Sequence, residues 1–207
     1  MEKNTKERIL EEALKLFSQN GYSGTSMSDI AKQLGITKGA LYKHYASKQD
    51  IFDAIFEETS RQYGDFTGQL SVHMDNAGMD GAVFDEIGED ALAEKMRQVF
   101  LYSIHDEAVS RLRRMMTIEQ FRCPELAQLY TERYVDRLVD YHAKLFEQLI
   151  KTGKLRSADA GTLSLQYVSP VLTLLGVCDR QPEKEAECLA RLDAHVRLFF
   201  QTYTIRK

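Results

Sequence analysis

Three observations on this 207-residue chain predict an all-α protein. Apolar residues recur at helical spacing through most of its length, and no alternating apolar/polar run of useful length marks a strand. There are only three prolines, and Gly21, Gly35 and Gly153 stand where periodic segments stop. Between Thr25 and Phe52, in TSMSDIAKQLGITKGALYKHYASKQDIF, helix-starting residues follow one another at short intervals. The expected architecture is an N-terminal three-helix domain over residues 1–50 and a larger helical domain over residues 51–207.

A first helix is expected from about Thr5 to Asn20, with Ile9, Ala13, Leu16 and Phe17 on one face and Gly21 as its stop. Ser26 then caps a second helix, and Asp29 three residues on completes a capping box. Ile30, Ala31 and Leu34 form its inner face. Gly35 suits the left-handed turn that ends it, and Ile36 plugs that turn. Thr37 caps a third helix, in which Leu41 and Tyr45 share a stripe that can pack on Ile30, Leu34 and Phe52. Ser47 caps a fourth, running from Lys48 to around Leu70. Two short helices joined by a tight turn in this way form a helix-turn-helix, whose second helix is built to enter the major groove of DNA.

Beyond it, residues 73–90 carry Gly78, Gly81, Gly88 and six acids, and read as a connector; the acids lack the spacing of a calcium loop. Helical periodicity returns from Glu89 to Phe121. Pro124 suits the first turn of the next helix, which carries Leu126, Tyr130, Tyr134, Leu138, Tyr141 and Leu145 and ends near Thr152-Gly153. Ser157 is expected to cap a helix that is apolar almost all round from Leu163 to Val177, with Pro170 inside it. A last helix is expected from about Glu183 to Tyr203.

The net charge of −4 is unevenly spread. Residues 1–50 hold eight basic and six acidic side chains, and residues 51–207 hold nineteen and twenty-five. Nucleic-acid binding needs a local basic face rather than a global excess, and Lys32, Lys38, Lys43 and Lys48 can supply one. No apolar signal core follows Met1, and the apolar run Val168 to Cys178 is too short and interrupted to cross a bilayer. Cys123, Cys178 and Cys188 fit neither a zinc nor a disulfide framework, so the expected location is a reducing cytoplasm, with no metal and no cofactor. His105, Glu119 and Cys123 could form an enzyme's nucleophile and base. However, there is no nucleophile elbow, phosphate-cradling glycine loop or paired metal-ligand motif, and no catalytic residue is assigned.

The outward residues of the third helix are the candidate DNA face: Thr37, Lys38, Gly39, Ala40, Tyr42, Lys43 and His44. Gly39 weakens a surface helix by about 1 kcal/mol, which makes sense if the backbone must come close to base edges. Lys38 can reach guanine acceptors or a phosphate, and Ala40 a thymine methyl. Tyr42, His44 and Lys48 are placed for phosphates, with hydroxyls and helix N-terminal amides at Thr25 and Ser26. In the second domain, Tyr102, His105, Met115, Met116, Glu119, Phe121, Arg122, Tyr130 and Tyr134 are effector-pocket candidates. They suit an amphipathic or aromatic ligand held at its polar end by Glu119 or Arg122, although Met and aromatic residues at helical spacing also build ordinary cores.

Residues Thr5 to Ala54 resemble the DNA-binding domain of the TetR (tetracycline-repressor-like) family of transcriptional regulators. The resemblance rests on Arg8 to Phe17, Gly21-Tyr22, Thr25-Ser26-Met27, Ile30-Ala31, Leu34 to Tyr45 and Ser47-Lys48, in order and at matching spacing. It implies a homodimeric repressor on a near-palindromic operator; an activator of the same fold is the alternative. It also implies a C-terminal ligand-binding and dimerisation domain for a small-molecule effector of unknown identity. The last two helices would pair across the dimer, with Leu165, Val168, Leu172, Leu175, Leu192, Val196 and Phe199 as interface candidates. Effector binding would tilt the helix beginning at Lys48 and release the DNA.

Overall fold

The structure is a computed structural model, and it describes residues 4–73, 76–77, 80–81 and 88–205. Its helices are α1 (Thr5–Asn20), α2 (Met27–Leu34), α3 (Lys38–Tyr42), α4 (Lys48–Gln69), α5 (Glu89–His105), α6 (Glu107–Glu119), α7 (Pro124–Thr131), α8 (Arg137–Lys151), α9 (Ala160–Arg180) and α10 (Glu185–Tyr203). A π-helical turn, Glu132–Asp136, joins α7 to α8, and a 3-10 turn, Pro182–Lys184, precedes α10. Among the described residues the sole β pairing is an isolated bridge, Leu155 with Thr204, so the all-α expectation holds.

Two compact units emerge: residues 1–63 with 106–130, and residues 64–105 with 131–207. Compactness thus groups the segment 106–130, which chain order assigns to the second domain, with the N-terminal helices.

In the first unit, local chemistry explains each helix end. Asn4 and Glu7 form a reciprocal capping box at the start of α1, where the Glu7 amide donates to Asn4 Oδ1 at 3.0 Å and the Asn4 amide donates to Glu7 Oε2 at 3.1 Å. α1 stops at Gly21, whose φ of 79° favours glycine. Ile9, Ala13, Leu14 and Phe17 from α1, Ile30 and Ala31 from α2, Leu41 from α3, and Ile51, Phe52 and Ile55 from α4 are all buried. Leu112, Met115 and Met116 of α6 join them, with α6 packed along α1.

The second unit has its own core, built on Phe100, Tyr141, Phe146, Tyr167, Leu192, Val196 and Phe199. Its aromatic rings interlock: Phe199 lies 5.1 Å from Phe146 and 5.0 Å from Tyr167, centroid to centroid. Much of the expected connector between residues 73 and 90 lies outside the described residues. Asp80, within it, is buried and accepts hydrogen bonds from the His73 amide at 2.6 Å and from the Tyr141 hydroxyl.

Three boundaries differ from expectation. The periodic run from Glu89 to Phe121 is two helices, because Asp106 turns to an extended conformation and its carboxylate accepts the Val109 amide at 2.9 Å. The cap of α9 is Asp159 and not Ser157, with the Thr162 amide donating to Asp159 Oδ1 at 2.7 Å. The long helix expected over Leu126 to Leu149 carries the π-helical turn within it. Among the described residues α9 alone is long and apolar enough to span a membrane, because the helix extends well beyond the run from Val168 to Cys178 that was expected to be too short, and a third of its apolar window is buried.

Candidate nucleic-acid interface

The interface is built from α2, the turn after it, and α3. Ser26 caps α2: its hydroxyl accepts the Asp29 amide at 3.2 Å, and Asp29 Oδ2 in turn accepts the Ser26 amide at 2.9 Å. These bonds from Ser26 hold the Asp29 carboxyl below its usual range. At the other end Gly35, with φ 68° and ψ 26°, donates to Lys32 O at 3.1 Å, and Ile36 donates to Ala31 O at 3.0 Å. That pair of bonds is the Schellman arrangement, and it sets the angle at which the chain enters α3.

Thr37 Oγ1 accepts the Ala40 amide at 3.1 Å and starts α3. Leu41 is fully buried and fixes the inner face, which leaves Thr37, Lys38, Gly39, Tyr42 and Lys43 exposed and Ala40 and His44 half-buried. Lys38 Nζ lies 5.8 Å from the centre of the Tyr42 ring, which is 45% exposed. A Cβ added at Gly39 would meet no atom within 4 Å. Nothing inside the chain therefore requires a glycine here.

The structure redraws the rest of the predicted face. The Thr25 side chain is buried and its hydroxyl donates to Gly21 O at 2.9 Å, within the chain. The Ser26 hydroxyl and amide are engaged with Asp29. Lys48 points inward: its ammonium donates to Tyr22 O at 2.7 Å and Thr25 O at 2.9 Å and sits 4.2 Å from the centre of the Tyr22 ring. Burial pushes its pKa down, against the opposing charge of Glu119. It ties α4 to the turn between α1 and α2, with one N–H left over.

The same turn carries a contact that sequence reading missed. Glu119, at the end of α6, is fully buried, and its Oε2 accepts the Ser23 hydroxyl at 2.7 Å and the Ser23 amide at 3.3 Å. A Cβ on Gly21 would stand 2.4 Å from Glu119 Oε1. No local signal marks a pair ninety-six residues apart.

The nine effector candidates divide between the two compact units. Met115 and Met116 are core residues of the first unit, and Glu119 is committed to Ser23. Phe121 is 85% exposed, and Arg122 is exposed with its guanidinium 3.7 Å from Glu119 Oε1. Tyr130 also belongs to the first unit. In the second unit, Tyr102 stacks on Phe66 at 4.0 Å, His105 pairs with Glu185 at 3.1 Å, and Tyr134 lies beneath Arg133. An open groove of about 940 Å³ in the first unit, between α1, α4 and the start of α6, includes none of the nine.

Five of the seven interface candidates are buried within their own unit: Val168, Leu175, Leu192, Val196 and Phe199. Leu165 is 54% exposed and Leu172 half-exposed on α9, and Leu198, not expected, is 65% exposed on α10. Ala186, Ala190 and Ala194 are exposed at one-turn intervals on the same helix, beside the exposed ion pair of Arg191 with Glu187.

Residues 9–55 match the family model of bacterial regulatory proteins of the tetR family, and residues 91–205 match the C-terminal domain model of AefR-like transcriptional repressors. The HTH-type transcriptional regulator AcrR of Shigella flexneri is 46% identical over 61 residues, 30% of this chain and 28% of AcrR, so that likeness spans under a third of either. Two solved structures share the fold across nearly the whole chain. A tetR-family regulator of Mesorhizobium loti superposes with a TM-score of 0.70 at 23% identity, covering 97% of this chain and 96% of that one. SmeT, the repressor of the Stenotrophomonas maltophilia multidrug efflux pump SmeDEF, does so with a TM-score of 0.66 at 22% identity, covering 98% and 92%; it has also been solved in complex with triclosan. With a helix-turn-helix match at 9–55 and more than half of the chain matched by the C-terminal repressor model, the chain belongs to the tetR family of bacterial regulatory proteins, a family of regulators rather than enzymes.

Proposed function

We propose that the chain is a sequence-specific DNA-binding repressor, acting in the cytoplasm as a homodimer on a near-palindromic operator and released by a small-molecule effector. The observation that carries the DNA-binding reading is the outward face of α3. A glycine with open space around it, flanked by Lys38, Tyr42 and Lys43, has no internal purpose and suits close approach to base edges. Two recognition helices about 34–36 Å apart, or a multiple, would read two half-sites. Residues 1–50 carry this role, and residues 51–207 carry effector binding and dimerisation.

The outward faces of α9 and α10 support the dimer. Leu165, Leu172 and Leu198 offer apolar area, and the exposed small residues Ala186, Ala190 and Ala194 on α10 would let a second copy come close. Repression is supported by the C-terminal model, described as that of a repressor domain, and by SmeT. A small-molecule effector is supported by the triclosan complex of SmeT; for this chain the class we infer is an aromatic or amphipathic compound, with Tyr102, His105 and Tyr134 as the candidate contacts in the second unit.

Selection of sheared genomic DNA by the purified protein, sequenced and repeated across salt, tests the reading. Enrichment of a short inverted repeat is expected. Weak binding to all sequences alike, with no repeat recovered, would refute it.

A further inference from the structure

We propose that Glu119 is a positioning residue of the DNA-binding head, through which α6 fixes the turn between α1 and α2. The inference deepens the DNA-binding reading above and rests on it.

A fully buried carboxylate is expensive unless its lone pairs are satisfied. Here Oε2 accepts both Ser23 donors, while Oε1 is buried without a hydrogen-bond partner, 3.7 Å from the Arg122 guanidinium. An apolar residue would hold α6 against α1 at lower cost. What the carboxylate adds is direction, since two donors of one residue fix where the turn lies relative to the end of α6.

The turn is shaped to receive it. Gly21 adopts a φ that disfavours side chains and has no room for one, because Glu119 Oε1 occupies the place. Ser23 lies three residues before the α2 cap, and the Lys48 ammonium grips the carbonyls of Tyr22 and Thr25 on either side of it. Five residues are therefore held by an anion from α6 and a cation from α4. A shift of α6 would be delivered to Ser23, then to Ser26 and α2, and through the Gly35 turn to α3. α6 falls within residues 91–205, matched as the C-terminal domain, yet belongs to the compact unit of the head. It is thus a second route into the head besides α4.

The test uses the full chain, a selected operator duplex and a scrambled duplex of equal length, below the melting temperature of every variant. Glu119→Ala should weaken operator binding about tenfold or more, as for loss of a charged hydrogen-bond pair, and binding to the scrambled duplex far less. Glu119→Gln, whose amide oxygen can still accept from Ser23, should recover most of the loss. The milder Ser23→Ala should move in the same direction, and the double variant should be no worse than Glu119→Ala alone. Amide exchange, which needs no DNA, should accelerate in Glu119→Ala both at residues 21–26 and at residues 37–45. Unchanged operator affinity in the folded variants, additive losses, or faster exchange confined to residues 21–26 would overturn the proposal. Should the wild type select no operator, the DNA-binding reading fails and the exchange result alone decides whether Glu119 positions α3.

Discussion

Replacing Gly39 by alanine should move stability and DNA binding in opposite directions. Gly39 is the second residue of α3, exposed, with an ordinary helical backbone and no atom within 4 Å of the added Cβ. Glycine in a helix interior costs about 1 kcal/mol against alanine, and near a helix start somewhat less. Alanine also restricts the unfolded chain, so a gain of about 0.5–1 kcal/mol is expected. For a protein of this size that is a rise in melting temperature of about 1–4 °C. The same methyl group would stand between the α3 backbone and the base edges. Overfilling a packed contact costs about 1–3 kcal/mol, which is roughly a tenfold to hundredfold loss of operator affinity. Thermal melting followed by circular dichroism measures the first quantity, and anisotropy titration of a labelled operator measures the second. Because the variant is the more stable protein, unfolding cannot account for weaker binding. A variant that melts higher and binds its operator unchanged would show that Gly39 faces no DNA.

Lys48→Met should destabilise the head by about 1–2 kcal/mol, since two carbonyls lose a charged donor, and weaken operator binding more than binding to a scrambled duplex. Its salt slope should match the wild type; a slope smaller by about 1 would mean that Lys48 turns outward to a phosphate on binding. Leu198→Glu, on the outward face of α10, should yield a folded monomer in sedimentation, whereas Val196→Glu, fully buried, should unfold the second unit. A folded Leu198→Glu dimer would move the interface elsewhere. Burial holds His142 near a pKa of about 4 instead of 6.5, with its Nδ1 bonded to Leu138 O at 2.8 Å. Below pH 6.5 the unfolded chain takes up a proton that the folded chain refuses, so stability falls as pH drops toward 4, by about 3 kcal/mol at most, and is flat above 6.5 on this account. Chemical denaturation at pH 7 and pH 5 should therefore show a loss that His142→Leu lacks; equal losses in both proteins would refute it.

The head was legible in the sequence because its boundaries are set by chemistry within four residues. Ser26 with Asp29, Gly35 with Ile36, and Thr37 with Ala40 each satisfy their own backbone groups, so residue type and spacing suffice to place them. The break at Asp106 obeys the same rule and was still missed. Apolar positions continue across it, and neither glycine nor proline interrupts the run, so the cap had only its own carboxylate to announce it. Ser157 and Asp159 compete for one helix start with equally good side chains, and the choice is made by which residues of α9 must turn inward.

Phase and direction are decided farther away. α9 is apolar on nearly every side, so its periodicity cannot say which leucines face the unit's own core. Contact with α8 and α10 assigns Val168 and Leu175 inward and leaves Leu165 out. Long charged side chains carry a related ambiguity. Lys48 is a cation at the start of α4 in any reading, but two carbonyls some twenty-five residues earlier decide that it points inward. Glu119 read as the polar end of a ligand pocket because an acid among methionines and aromatics has that composition; its partner lies ninety-six residues away. In both cases the side chain binds backbone of the turn between α1 and α2, whose own hydroxyls at Thr25 and Ser26 are already bonded to Gly21 O and Asp29. A turn that joins two helices of a head draws its constraints from helices far away in sequence, α6 through Glu119 and α4 through Lys48.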